Sequence, residues 1–177
     1  MIIFDNHPID ENADEWSSYL RVFAKKILSQ KTSLVLIAGY DIQKNIFESY
    51  LKLMGLNYKK SIIKLESQFP WKITKNWERT FPFTGSSFSN EYQNNFPPIY
   101  IGINIEPNNS NVLANFSISE MKVPLLLLSE KGPLRFAVWS SPDLHQLHFK
   151  TQNKNNTNFF VDFFNPVMTW LLRTNNE

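Results

Sequence analysis

Residues 98–139 constrain the fold of this chain more than any other stretch. Four apolar runs fall there, at 99–105, 111–118, 123–128 and 133–139, rich in β-branched and aromatic side chains and separated by Pro, Gly and Asn. Runs of this length with those breakers between them are the signature of consecutive strands. They predict a small antiparallel sheet, extended to about residue 149 if the segment 141–150 adds a further strand.

Upstream the period changes. Trp16, Tyr19, Leu20, Phe23, Ala24, Ile27 and Leu28 recur at three- and four-residue intervals, which predicts an amphipathic helix, with Asn12 and Glu15 at capping-box spacing before it. Residues 33–38 form an unbroken apolar run, the pattern of a strand covered on both faces, and Gly39 ends it. A second helix follows, with Asp41 as its expected cap, Ile42, Ile46, Phe47, Tyr50, Leu53 and Met54 along one side, and Gly55 as its left-handed stop. Residues 1–4 fit an edge strand and 57–66 a further one.

Residues 67–98 carry Pro70, Pro82, Pro97 and Pro98 among many aromatic residues, so an irregular segment is expected, wrapped over the sheet or held for a partner. Near the end, Pro166 is placed at the first position of a short helix 166–173, capped by Asn165, with 159–164 extended before it. The fold expected is one α+β domain over 1–177. Its parts are a helix–strand–helix portion (1–66), an aromatic connection (67–98), and an antiparallel sheet with a short terminal helix (99–177).

At 177 residues, 42% hydrophobic and 19% charged, the chain has the composition of a folded domain rather than a disordered one. It has no cysteine, which excludes disulfides and thiolate metal sites. No basic leader opens it and no apolar run approaches the roughly 18 residues that cross a bilayer. A cytoplasmic protein of a bacterium or virus is expected, without a membrane partner. The abundance of Asn, Lys and Ile points to an AT-rich gene and carries no chemistry.

The candidate reactive groups do not assemble into a motif. Asp143 and His145 would share one face of a strand while His148 points to the other, which defeats a three-ligand cluster. His7 with Asp5 and Asp10 makes no recognisable metal spacing, and no metal or cofactor is expected. The turn at Gly39 lacks a phosphate-binding glycine pattern, residues 84–87 lack the second glycine of a nucleophile elbow, and Glu48 and Glu66 lack the lysine two residues on that a restriction-type nuclease needs. Catalysis is therefore the minority reading.

Net charge is only +2, but its distribution is uneven. Asp10, Glu11, Asp14 and Glu15 lie in an N-terminal stretch without Lys or Arg, whereas Lys59, Lys60, Lys64, Lys72, Lys75 and Arg79 are interleaved with Tyr58, Trp71, Trp77 and Phe81. The reading adopted is a protein-binding inhibitor, most economically an immunity-type partner that neutralises a bacterial toxin domain. The acidic quartet would meet a basic target, and Trp71 or Trp77 would anchor an apolar one. The alternative is a single-stranded nucleic-acid binder or nuclease using the six basic residues beside stacking rings.

Overall fold

The computed structural model describes residues 1–59, 67–82, 96–118, 121–152 and 159–173. The chain runs through β1 (Ile2–Asp5), a 3-10 turn (Asp10–Asn12), α1 (Ala13–Gln30), β2 (Leu34–Ile37), α2 (Lys44–Leu53), β3 (Asn57–Tyr58), β4 (Gln68–Phe69), β5 (Trp71–Ile73) and α3 (Lys75–Thr80). It continues with β6 (Ile99–Tyr100), β7 (Ile105–Glu106), β8 (Asn111–Ile118), β9 (Met121–Lys131), β10 (Leu134–Trp139), α4 (Leu144–Gln152) and α5 (Phe159–Leu172).

Six strands form one sheet in the order β1-β2-β10-β9-β8-β5, antiparallel from β10 to β5 and parallel at β1-β2-β10. The fold is α+β, as expected, with a mostly antiparallel sheet. The N-terminal portion contributes two strands to that sheet instead of docking on it.

Period-two alternation divides the core. Leu34, Leu36, Phe136 and Val138 face the layer made by α1 and α2, whereas Val35, Ile37, Ala137 and Trp139 face α3, α4 and α5. β2 is buried at every position, which is why its run is apolar without a break. Pro124 sits in β9, an interior strand where a missing N–H costs a ladder bond. The register of β8 shifts between Ala114 and Asn115, at the residue paired with Pro124.

Several elements differ from expectation. Residues 99–105 do not enter the main sheet: β6 pairs with β4 and β7 with β3, and between them Gly102 and Ile103 both donate to the Ser140 carbonyl. Residues 67–82 hold β4, β5 and α3 where an irregular course was expected, while of residues 57–66 only Asn57–Tyr58 is a described strand. Residues 144–152 form α4 and not a strand, because Leu147 and Thr151, four apart, both turn into the core and Leu147 N–H donates to the Asp143 carbonyl. Gln43, not Asp41, caps α2, accepting from Ile46 N–H at 3.0 Å.

The terminal helix spans Phe159–Leu172 with Pro166 in its interior. An interior proline costs about 3 kcal/mol. Phe159, Phe163, Val167 and Leu171, spaced by four and all buried, offset it at about 1.5–3 kcal/mol each. Gly55 adopts φ +79° beyond α2, as its position required. Among the described residues no helix is long and apolar enough to cross a membrane.

Tyr50 of α2 is fully buried against the rings of Phe4 (5.4 Å) and Phe23 (5.8 Å), and its hydroxyl has no hydrogen-bond partner among the described residues. Burial pushes its pKa from 10.0 up to about 12. Tyr50→Phe removes an unsatisfied buried oxygen and is expected to raise stability by about 1 kcal/mol in urea unfolding at pH 7. Because the folded state favours the neutral phenol, its contribution is complete below pH 10 and is lost as pH rises through 12. The variant therefore shows a shallower alkaline decline. An unchanged alkaline limb would contradict the assignment.

Candidate functional site

The acidic quartet is organised by the 3-10 turn that leads into α1. Asn12 stands at the N-cap position of α1, but its side chain makes no bond to that helix. Its side-chain oxygen Oδ1 accepts from Ile9 N–H at 3.1 Å, closing the turn before the helix, so the expected Asn12–Glu15 box gives way to a tighter local bond. Asp14 and Glu15 then fall in the first turn of α1, where the helix dipole favours anions. Asp10, Glu11, Asp14 and Glu15 are all exposed, and none forms an ion pair with another described residue.

Trp16, Leu20, Phe23 and Ile27 turn α1 onto the sheet. Along its outer side Glu15, Tyr19, Val22 and Lys26 follow at spacings of four, three and four, so they share one stripe. Tyr19 is 55% and Val22 62% exposed. The three- and four-residue period places Tyr19 among the inward residues and does not include Val22. A helical wheel centred on Trp16, Leu20, Phe23 and Ile27 places Tyr19 at the margin and Val22 on the far side, where an apolar residue was the available clue.

Trp71 and Trp77 are not on the surface. Trp77 stacks on Phe163 (4.8 Å, 12° between planes), and Trp71 stacks on Phe96 (4.2 Å) while its indole N–H donates to the Pro97 carbonyl. Both are core residues, which corrects their expected role as accessible anchors. The same burial affects the basic segment. Lys59, Lys72, Lys75 and Arg79 are exposed, but Trp71, Trp77 and Phe81 point inward, so charges and rings lie on opposite sides of the same elements. Lys60 and Lys64 lie outside the described residues.

A second cluster sits at the carboxyl ends of β2 and β10. Asp143 is fully buried there; Tyr40 Oη donates to Oδ1 at 2.6 Å and Tyr100 N–H to Oδ2 at 2.8 Å. Burial of the phenol, its bond to Asp143 and that carboxylate's charge push the Tyr40 hydroxyl well above its usual pKa. Gly39 just before it has no alternative: a Cβ there would overlap Asn6, whose side-chain oxygen accepts from Asp41 N–H. With both carboxylate oxygens bonded, Asp143 fastens β2, β6 and α4 together. It is not available as a partner for His145, which is exposed on α4.

His7 packs as an aromatic ring, 4.7 Å from Phe4 and 4.5 Å from Trp16, and burial lowers its pKa. His148 lies 5.3 Å from the Phe160 ring. Among the described residues no three His, Asp or Glu side chains are grouped to hold a metal ion.

No protein-family model matches the chain, and no curated protein matches it. A solved structure to which it is similar is the exo-beta-1,4-mannosidase Op5Man5 from Opitutaceae bacterium strain TAV5. The identity is 14% and the TM-score 0.44, and the match covers 85% of this chain and 23% of that one.

Proposed function

We propose that the protein is a protein-binding inhibitor, of the kind that neutralises a toxin domain by occupying it, and that the outer stripe of α1 is its contact surface. One observation carries this reading: four exposed carboxylates, on the 3-10 turn and the first turn of α1 and without an ion-pair partner among the described residues, lead into exposed Tyr19 and Val22. Carboxylates of one sign speed encounter with a basic partner, and a half-exposed tyrosine beside a valine provides the apolar centre such contacts need. The target is therefore a protein with a basic cleft, such as a nucleic-acid-cleaving toxin domain. A cysteine-free chain is suited to the reducing cytoplasm, where we place it.

The test compares three tagged proteins in nuclease-treated host lysate by quantitative mass spectrometry. They are the native chain, an α1 variant (Glu15→Lys, Tyr19→Ala, Val22→Ala) and a basic-face variant (Lys72→Glu, Lys75→Glu, Arg79→Glu). A stoichiometric basic protein held by the native chain and the basic-face variant, with affinity for the α1 variant lower by about a hundredfold, is the expected result. Equal capture by the α1 variant, or nucleic acid held by the native chain and lost from the basic-face variant, would overturn the reading.

A further inference from the structure

On the side of the sheet opposite α1, the sheet and α5 enclose an apolar cleft of about 320 Å³. Strand register builds its floor. Ile3, Val35 and Ala137 stand side by side across β1, β2 and β10, and Ile37 and Trp139 form the next row. Val35 lies in the centre of the first row, and Ala137, the smallest of these, ends it on β10. Val161, Phe164 and Met168 of α5 form the wall. Ile3 and Val161 both line the cleft and remain 48% and 50% exposed, so it opens to solvent through apolar side chains.

Its chemistry is one-sided. Among the described residues no Asp, Glu, Lys, Arg or His lines the cleft, and the one polar side chain among them there is the exposed Asn165. An ionised group placed there would lose water and gain no counter-charge. At the roughly 30 Å³ that a water-sized unit occupies in a liquid, the space suits about ten non-hydrogen atoms. The size is at the lower end of small-molecule sites, and it lies between secondary-structure layers, where such sites occur.

We propose that this cleft binds a free, neutral, single-chain amphiphile, with an aliphatic chain of about eight to ten carbons against Ala137 and an uncharged polar head at Asn165. The carboxamide of Asn165 offers both a donor and an acceptor, which fits an alcohol, amide or ester head. With no cation among the described lining residues, a fatty carboxylate of the same length is disfavoured. This site is independent of the α1 contact surface, which belongs to the other layer.

The test uses the whole chain with 1-naphthol as a small, neutral fluorescent probe, displaced by 1-decanol, sodium decanoate or 1-butanol, with sedimentation equilibrium alongside. One probe per chain is expected, displaced by decanol at a concentration at least about tenfold below that of decanoate or butanol. Val161→Lys changes an exposed position and puts a cation at the opening, so it should reverse the preference between decanol and decanoate. Ala137→Leu fills the floor and should abolish probe binding. If that core change unfolds the chain, Val161→Lys still decides. Three outcomes would overturn the proposal: no saturable probe binding, a decanol-to-decanoate ratio unmoved by Val161→Lys, or a dimer dissociated by Val161→Lys, which would mean that a second copy covers the cleft. A Tyr19→Ala, Val22→Ala variant keeps probe binding, so failure here is separable from failure of the inhibitor reading.

Discussion

Asp143→Ala is expected to lower stability by about 3–5 kcal/mol. A hydrogen bond to a charged acceptor is worth about 1.5–3 kcal/mol, and this carboxylate accepts two, from Tyr40 Oη and Tyr100 N–H. The side chain is wholly buried, so its removal takes the acceptor from the Tyr100 N–H, and the loop that starts α4 loses its tie to β2 and β6. Tyr40→Phe removes one of the two bonds at a position whose ring is largely exposed, and should cost about 1–2 kcal/mol. The double variant should lose less than the sum, since both changes delete the same bond. The raised pKa of Tyr40 gives the pH sign: its neutral form is favoured by folding, so this contribution is present below pH 10 and is lost as pH rises above it. Urea unfolding of the four proteins measures each quantity. A loss under 1 kcal/mol for Asp143→Ala would show that the loops hold without the carboxylate.

The second large effect is expected at Phe163. This ring meets Trp77 at 4.8 Å, Phe164 at 4.9 Å, Trp71 at 5.6 Å, and Trp139 and Phe159 at 5.9 Å, so α5, α3, β5 and β10 all converge on it. Phe→Ala changes in packed cores cost about 3–5 kcal/mol, from lost transfer energy plus the cavity that remains. Phe163→Ala should reach that range in guanidinium unfolding and weaken the near-UV circular dichroism of the tryptophans packed on it. The same geometry separates the core from the proposed contact surface on α1. Trp71→Phe should lower stability and leave binding at the proposed α1 surface unchanged, the opposite of Tyr19→Ala. A Phe163→Ala variant within 1 kcal/mol of the native chain would mean that the aromatic layer repacks freely.

What could be read from the sequence was local in origin. The three- and four-residue period from Trp16 to Ile27, the unbroken apolar run of β2, the strand runs of β8 to β10 and the left-handed Gly55 depend on neighbours a few residues away, so the sequence alone determined these elements and the α+β class. The exposure of the acidic quartet was readable for the same reason: four carboxylates at a helix start have no apolar alternative.

The tertiary structure decided matters that depend on residues far apart in the chain. Pro166 stays inside α5 because the sheet supplies burial for Phe159, Phe163, Val167 and Leu171, a gain absent from local propensity. Trp71 and Trp77 look the same in sequence whether they anchor a partner or fill a core, and it is packing on distant rings, Phe163 against both and Phe96 against Trp71, that draws them inward. Asp143 finds its donors 103 and 43 residues away, at Tyr40 and Tyr100, so no spacing in the chain announces that cluster. The cleft beside α5 likewise arises where β1, β2 and β10 set Ile3, Val35 and Ala137 in register, a juxtaposition made by parallel pairing across the whole length of the chain.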